Sequence, residues 1–461
     1  MAVKISKLFF WTKPINNIII QPFGWVIIMV FVFYIPFLRP WWWMIAPILL
    51  SIELRTLYLW WINWDYNYAK VKWVMLEIVP PKEVLVPLKA MEDIFTVIWP
   101  NLYNMPSWRE RYCEGVLAKS PDWMSFEIAS IEGQIHFYVR MSAGFRPSVE
   151  SALYSHYPEL EIYEVSDYTK DVPKDIPNKE WDVYGEDFLL GNKAGFPIKT
   201  YEQFFEPQGE KMAAEEKRID PIASLLESMA KLGTGEQFWL QFNMMAMDDD
   251  ADDEWRSEAK SILNKITKRP EKKPTTLWED LTITLRNAVL GPVKDKDSYK
   301  WLELAKSETG ERELVITPGE REVVTQIETK LKKPAFRVNI RGVYVAKREN
   351  WKPANRILTR SYFAHFQTQN MNFVRFSLIT RPKTQYVFRK RIPFIRSRRM
   401  FRNYILRFTP LFPDRTKEMA IVSTEEMATI FHFPIKISGL VSPTMARVES
   451  KKGGPPPNLP T

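Results

Sequence analysis

Residues Ile18–Leu38 form a 21-residue run without a single charged side chain. As a helix it would be about 30 Å long, the thickness of a bilayer's hydrocarbon core. The run exceeds a signal-peptide core, and no small-residue cleavage site follows it. Arg39-Pro40 interrupts it, and a second stretch, Trp41–Ile62, carries only Glu53 and Arg55. Two arrangements fit. One is a transmembrane helical hairpin with spans 18–38 and 41–62. The other is one span followed by an amphipathic helix at the interface. The hairpin is the expectation, because tryptophans 41–43, 60, 61 and 64 sit where an aromatic belt belongs. Lys4, Lys7 and Lys13 precede the pair and Lys70 and Lys72 follow it, so the positive-inside rule puts both ends in the cytoplasm. The expected localisation is therefore a membrane, with the soluble domains on its cytoplasmic side.

The remaining chain reads as α+β. Val74, Leu76 and Ile78 alternate as on a half-buried strand; Met91, Ile94, Phe95 and Ile98 follow at helical spacing. Met124, Phe126 and Ile128 alternate again, Glu132-Gly133 marks a turn, and Ile135, Phe137, Val139 and Met141 continue it. A helix from Pro147 and a strand over 160–165 complete the order β-α-β-β-α-β. Residues 65–170 are thus expected to be a ferredoxin-like domain. Residues 171–235 read as a linker with one short helix, capped by Asp220 with Pro221 at its first turn. A second, distorted ferredoxin-like domain is expected over 236–380, with a charged insertion at 268–316 and one strand unaccounted for. Thr317 and Ser423 each open a capping box, with Glu320 and Glu426 at the reciprocal positions. Residues 381–434 comprise a basic stretch and a short helix, and 435–461 read as a disordered tail.

The basic stretch is the candidate functional feature. The chain's net charge is +9, yet Arg381–Lys417 alone holds twelve lysines and arginines against one acid, Asp414. The rest of the chain is therefore slightly acidic, and the basicity is a local patch. Arg389, Lys390, Arg391, Arg396, Arg398, Arg399 and Arg402 are its densest part. Aromatics are interleaved with them, a pattern suited to an anionic surface: lipid headgroups, an acidic protein or single-stranded nucleic acid. A strand pair with a solvated basic edge is the bland alternative.

Nothing else in the chain carries recognisable chemistry. There is no GxxxxGK[ST] phosphate loop, no GxSxG, HExxH or CxxC. One cysteine, Cys113, excludes an intramolecular disulfide, and the four histidines lack ligand spacing. The acidic cluster at 248–254 lacks the alternation of a calcium loop and reads as a solvated helix entry. No catalytic, metal or cofactor-binding residue is expected, and no cofactor.

Several phrases resemble a family. They are YGEDFLLGNKAGFPIKTYEQF (184–204), IDPIASLLESMAKLGTGEQFWLQF (219–242), PGEREVVTQIETKLKKPAFRVNIRGVYVA (318–346), FAHFQTQNMNFVRF (363–376) and VSTEEMATIFHFP (422–434). Together they resemble an uncharacterised bacterial family of membrane-anchored proteins that stand beside, or are fused to, ATPases of the conjugative-transfer and type IV secretion class. The resemblance covers most of residues 65–461 and brings no catalytic residue with it. It implies a version without the ATPase domain, whose motor is a separate chain. The expected function is a membrane-anchored, non-enzymatic subunit or scaffold that docks such an ATPase, in an oligomeric state matching a hexameric motor. The alternative is a membrane-tethered nucleic-acid-binding protein using residues 381–417.

Overall fold

The structure is a computed structural model. It describes residues 71–81, 86–103, 123–204, 220–247, 254–267, 317–378, 389–407 and 419–434, with short stretches within 29–54, 286–300 and 380–382. Nine strands form one continuous antiparallel sheet: β1 (Trp73–Val79), β2 (Trp123–Ile131), β3 (Gln134–Ser142), β4 (Glu161–Glu164), β5 (Trp181–Leu190), β6 (Glu236–Ala246), β7 (Ala335–Lys347), β8 (Val374–Phe376) and β9 (Ala420–Ser423). The order across the sheet is β8-β5-β7-β6-β2-β3-β1-β4, and β9 pairs with the first residues of β7. The helices are α1 (Leu88–Leu102), α2 (Arg146–His156), α3 (Pro221–Ala230), α4 (Glu254–Ile266), α5 (Pro318–Lys332), α6 (Leu358–Ala364), α7 (Arg391–Ile405) and α8 (Thr424–Ile430).

The architecture is α+β, as expected, and corrects the transmembrane helical hairpin that was expected to precede it. Among the described residues no helix is long and apolar enough to cross a membrane. Between 29 and 54 helical residues are described at 29–30, 32–34, 42–44, 46–47 and 54, on either side of a 3-10 turn, Arg39–Trp41. A spanning helix needs about 20 consecutive residues. Most of 18–38 and 41–62 lies outside the described residues. The expected membrane localisation rested on that hairpin and has no spanning helix beneath it here. The cluster at 248–253 and the tail at 435–461 also lie outside.

The sheet contains two halves built alike. The first runs β1-α1-β2-β3-α2-β4 with strand order β4-β1-β3-β2. The second runs β5-α3-β6-β7-α6-β8 with order β8-β5-β7-β6. They are joined where β2 pairs with β6 over nine residues, Trp123 with Met245 through Ile131 with Gln237. A strand edge left unpaired in either half is thereby closed by the other. The segment read as a linker supplies β5 and α3, so the strand missing from the second half lies before 236, not inside the insertion. Of that insertion, the described part includes a small hairpin, residues 293–295 with 298–300. Helices α4 and α5 flank it and pack on each other through Ala259, Ile262, Val323 and Ile327.

Alternation along the strands assigns the two faces. Phe126, Ile128, Phe137, Val139, Phe242, Met244, Phe336 and Val338 turn to one side and meet α1, α2, α3, α6 and α8 in the main core. The intervening residues, among them Ala129, Tyr138, Trp239, Val343 and Val345, turn to the other side. There the cover is the 3-10 turn Tyr168–Asp171 and helix α7. Both faces of β2 and β6 are thus buried almost throughout.

Candidate functional site

Among the described residues of the basic stretch, Arg391–Ile405 form helix α7, where a strand pair was the bland alternative. Ser397, Met400, Phe401 and Tyr404 recur at three- and four-residue spacing and are its buried residues. Phe401 and Tyr404 lie on the Trp239 ring, with centroids 6.1 and 5.2 Å away. Gly185 on β5 makes the close approach possible: a Cβ there would stand 2.5 Å from Met400 Cγ.

A buried ionic cluster fixes the end of the helix. Arg407 follows α7 in a left-handed conformation, φ 47°, where glycine would be the usual choice. Its guanidinium is fully buried and meets Glu127 through two parallel bonds, Nε to Oε1 at 2.9 Å and Nη2 to Oε2 at 3.0 Å. Nη2 also donates to Asp167 Oδ1 at 3.1 Å, Nη1 donates to Asp167 Oδ2, and Nη1 reaches the Ile405 carbonyl at 3.0 Å. Glu127 accepts further bonds from Ser125 Oγ, Tyr168 Oη and Gln241 Nε2 at 2.7, 2.7 and 3.0 Å. The Tyr168 and Tyr404 hydroxyls are 2.7 Å apart, linking the cluster to α7 itself. Burial alone would raise the Glu127 carboxyl, but the Arg407 charge and the converging donors outweigh it and hold it below its ordinary value. Asp167 is lowered by the same balance between burial and Arg407. Burial, then the charge of Glu127, keeps the Tyr168 and Tyr404 phenols well above their ordinary range, so both remain neutral.

The opposite face of α7 carries the cations. Arg391, Arg398, Arg399 and Arg402 on the helix and Arg389 and Lys390 just before it are exposed. No ion pair joins any of these six to another described residue. Arg396 is half-buried and donates from Nη1 to the Arg381 carbonyl at 3.1 Å. Five of the seven residues marked out by charge density thus lie on one helix and two directly before it, and six of the seven are exposed. Of the other cations in the stretch, Arg381 pairs with Glu186 at 3.3 Å and Arg407 with Glu127 and Asp167, so both serve the fold.

The cations work against the helix that carries them. Three stand at the N-terminal end of α7, where the helix dipole favours anions, and the first turn has no acid and no side-chain cap. Local stability therefore does not account for these three cations, whereas Arg402 in the last turn suits the dipole. Sequence reasoning missed Arg407, Glu127 and Asp167. Strand alternation assigns Glu127 to the face opposite Phe126 and Ile128, but it does not show that this face is covered. Among the described residues no group of three histidines, cysteines or carboxylates is placed to hold a metal ion. In the comparisons with known proteins, no family model and no curated protein matches the chain.

Proposed function

We propose that the chain is a non-enzymatic docking subunit for a separate motor ATPase of the conjugative-transfer and type IV secretion class, and that the exposed face of α7 is its docking surface. One observation carries the reading: four exposed arginines on α7 and two exposed cations just before it form no ion pair with a described residue, and the inner face and C-terminal end of the helix are locked into the sheet. A locked helix loses little conformational freedom on binding, so its charges are pre-organised for an acidic partner. The absence of any nucleotide-binding loop in the sequence agrees with a subunit that leaves hydrolysis to its partner. The phrase resemblance supplies the class of partner.

The test uses the full chain with an ATPase of the type IV secretion class from the same organism. The chain alone is expected to hydrolyse no ATP, and the two are expected to co-elute at low salt. Replacing Arg389, Lys390, Arg391, Arg398, Arg399 and Arg402 by Gln is expected to weaken the complex about tenfold or more. These side chains are exposed, so the melting midpoint stays put. Co-elution that is indifferent to the six replacements would remove α7 from the docking role. DNA binding lost through the same replacements, without co-elution, would move it to nucleic acid.

A further inference from the structure

The outward face of α7 is not purely cationic. Phe394 and Ile395 are 42% and 52% exposed, Phe394 on the flank of the buried face and Ile395 on the side opposite it. They lie one turn from Arg391 on one side and from Arg398 and Arg399 on the other. Ile395 is thus ringed by guanidinium groups on a rigid support, and Phe394, about 100° round the helix, borders them. We propose that this face fits a carboxylate-rich protein surface with an apolar pocket at its centre, which takes Phe394 and Ile395 while its rim pairs with the surrounding arginines. The proposal rests on the docking reading and specifies the chemistry of the partner.

Three features favour a protein over other polyanions. Five of the six exposed cations are arginine and one is lysine. Arginine pairs with a carboxylate through two parallel bonds and gives up its hydration more readily, and it is enriched with aromatics at the centres of protein interfaces. A bilayer selects helices whose apolar and charged faces are separated. The apolar face of α7 is already used by Trp239 and Val343, and its arginines stand beside Phe394 and Ile395 on the same outer side. A single-stranded nucleic acid stacks on aromatic planes, and Ile395, the more exposed of the pair, has none.

The experiment compares three probes on the full chain. They are a two-helix hairpin peptide whose leucine-lined groove is flanked by glutamates, phosphatidylglycerol vesicles and an oligo-dT strand, each titrated at two salt concentrations. The peptide is expected to bind best. Phe394→Ser with Ile395→Ser is expected to weaken it about tenfold at unchanged salt dependence, and the six Gln replacements to flatten the salt dependence. An unchanged melting midpoint of the double serine variant shows that the fold is intact. The proposal is overturned if the peptide fails to bind, if the serine pair binds it as well as the parent, or if vesicles or oligo-dT bind more tightly. Co-elution with the motor is measured in parallel. A serine pair that retains full co-elution sinks the apolar pocket and spares the docking reading. A parent chain that never co-elutes sinks the docking reading, whatever the peptide does.

Discussion

Arg407→Ala is expected to destabilise the protein by about 3–5 kcal/mol, the usual loss when one partner of a buried ion pair is removed. The reason is what remains. Glu127 keeps its place in the middle of the sheet with neutral donors only, and Asp167 loses its counter-charge. A urea midpoint well below that of the parent is the expected reading. Arg407→Met combined with Glu127→Gln and Asp167→Asn is expected to recover most of the loss, since no buried charge is left uncompensated. The pH dependence separates the cases further. In the parent both carboxyls are depressed from ordinary values of 4.5 and 3.8, so their contribution is complete above that range. It is lost as pH falls through the lower folded values. In Arg407→Ala burial, the largest influence on Glu127, is opposed only by neutral donors and raises its carboxyl, so stability instead falls as pH rises from about 4 towards neutrality. Parallel pH profiles for parent and variant would contradict this.

Phe431→Ala comes next, with an expected cost of about 3–5 kcal/mol for a fully buried phenylalanine. Phe431 follows α8 and meets rings from both halves of the sheet: Phe126 at 5.1 Å and Phe137 at 6.1 Å from the first, Phe242 at 5.9 Å from the second. It also reaches Phe95 on α1 at 6.5 Å. Edge-to-face packing of this kind adds to the area buried. The C-terminal segment thus closes the core where the halves join, and a cavity there is felt by both. Tryptophan fluorescence and far-ultraviolet circular dichroism are expected to report one coincident, weakened transition. Two separated transitions would mean that the halves unfold independently and that the β2–β6 seam is not continuous core.

How much of this could be read from the chain depended on whether the signal was local. The strands β1, β2 and β3 follow from alternation at 74–78, 124–128 and 135–141. The β2–β3 turn follows from Glu132-Gly133, whose φ angles are 52° and 87°. The boxes at Thr317 and Ser423 close as their spacing requires, each with the reciprocal glutamate bond. The seam between β2 and β6 has no local signature, because either strand could have been an edge. Strand β5 was hidden by its own charges. Glu186 and Asp187 look solvated in sequence, yet Glu186 is met by Arg360 and Arg381 and Asp187 by Arg341 at 2.7 Å. The helical spacing of Met400, Phe401 and Tyr404 was present in the basic stretch, but the density of arginine around it dominated the reading. Arg407 cannot be told from its neighbours without knowing where Glu127 points. The apolar run at 18–38 carries a strong length signal for a membrane span, which no described helix matches.

The most direct measurement of the central claim is arginine-selective modification of the full chain, read by mass spectrometry with and without the motor ATPase. In the free chain Arg389, Arg391, Arg398, Arg399 and Arg402 are expected to react readily, while Arg341 and Arg407, 2% and 0% exposed, stay unmodified. In the complex the five reactive positions are expected to become protected and exposed arginines elsewhere, such as Arg348, to react as before. Unaltered reactivity of the five in a formed complex would contradict the account, because the motor would then be held by some other surface.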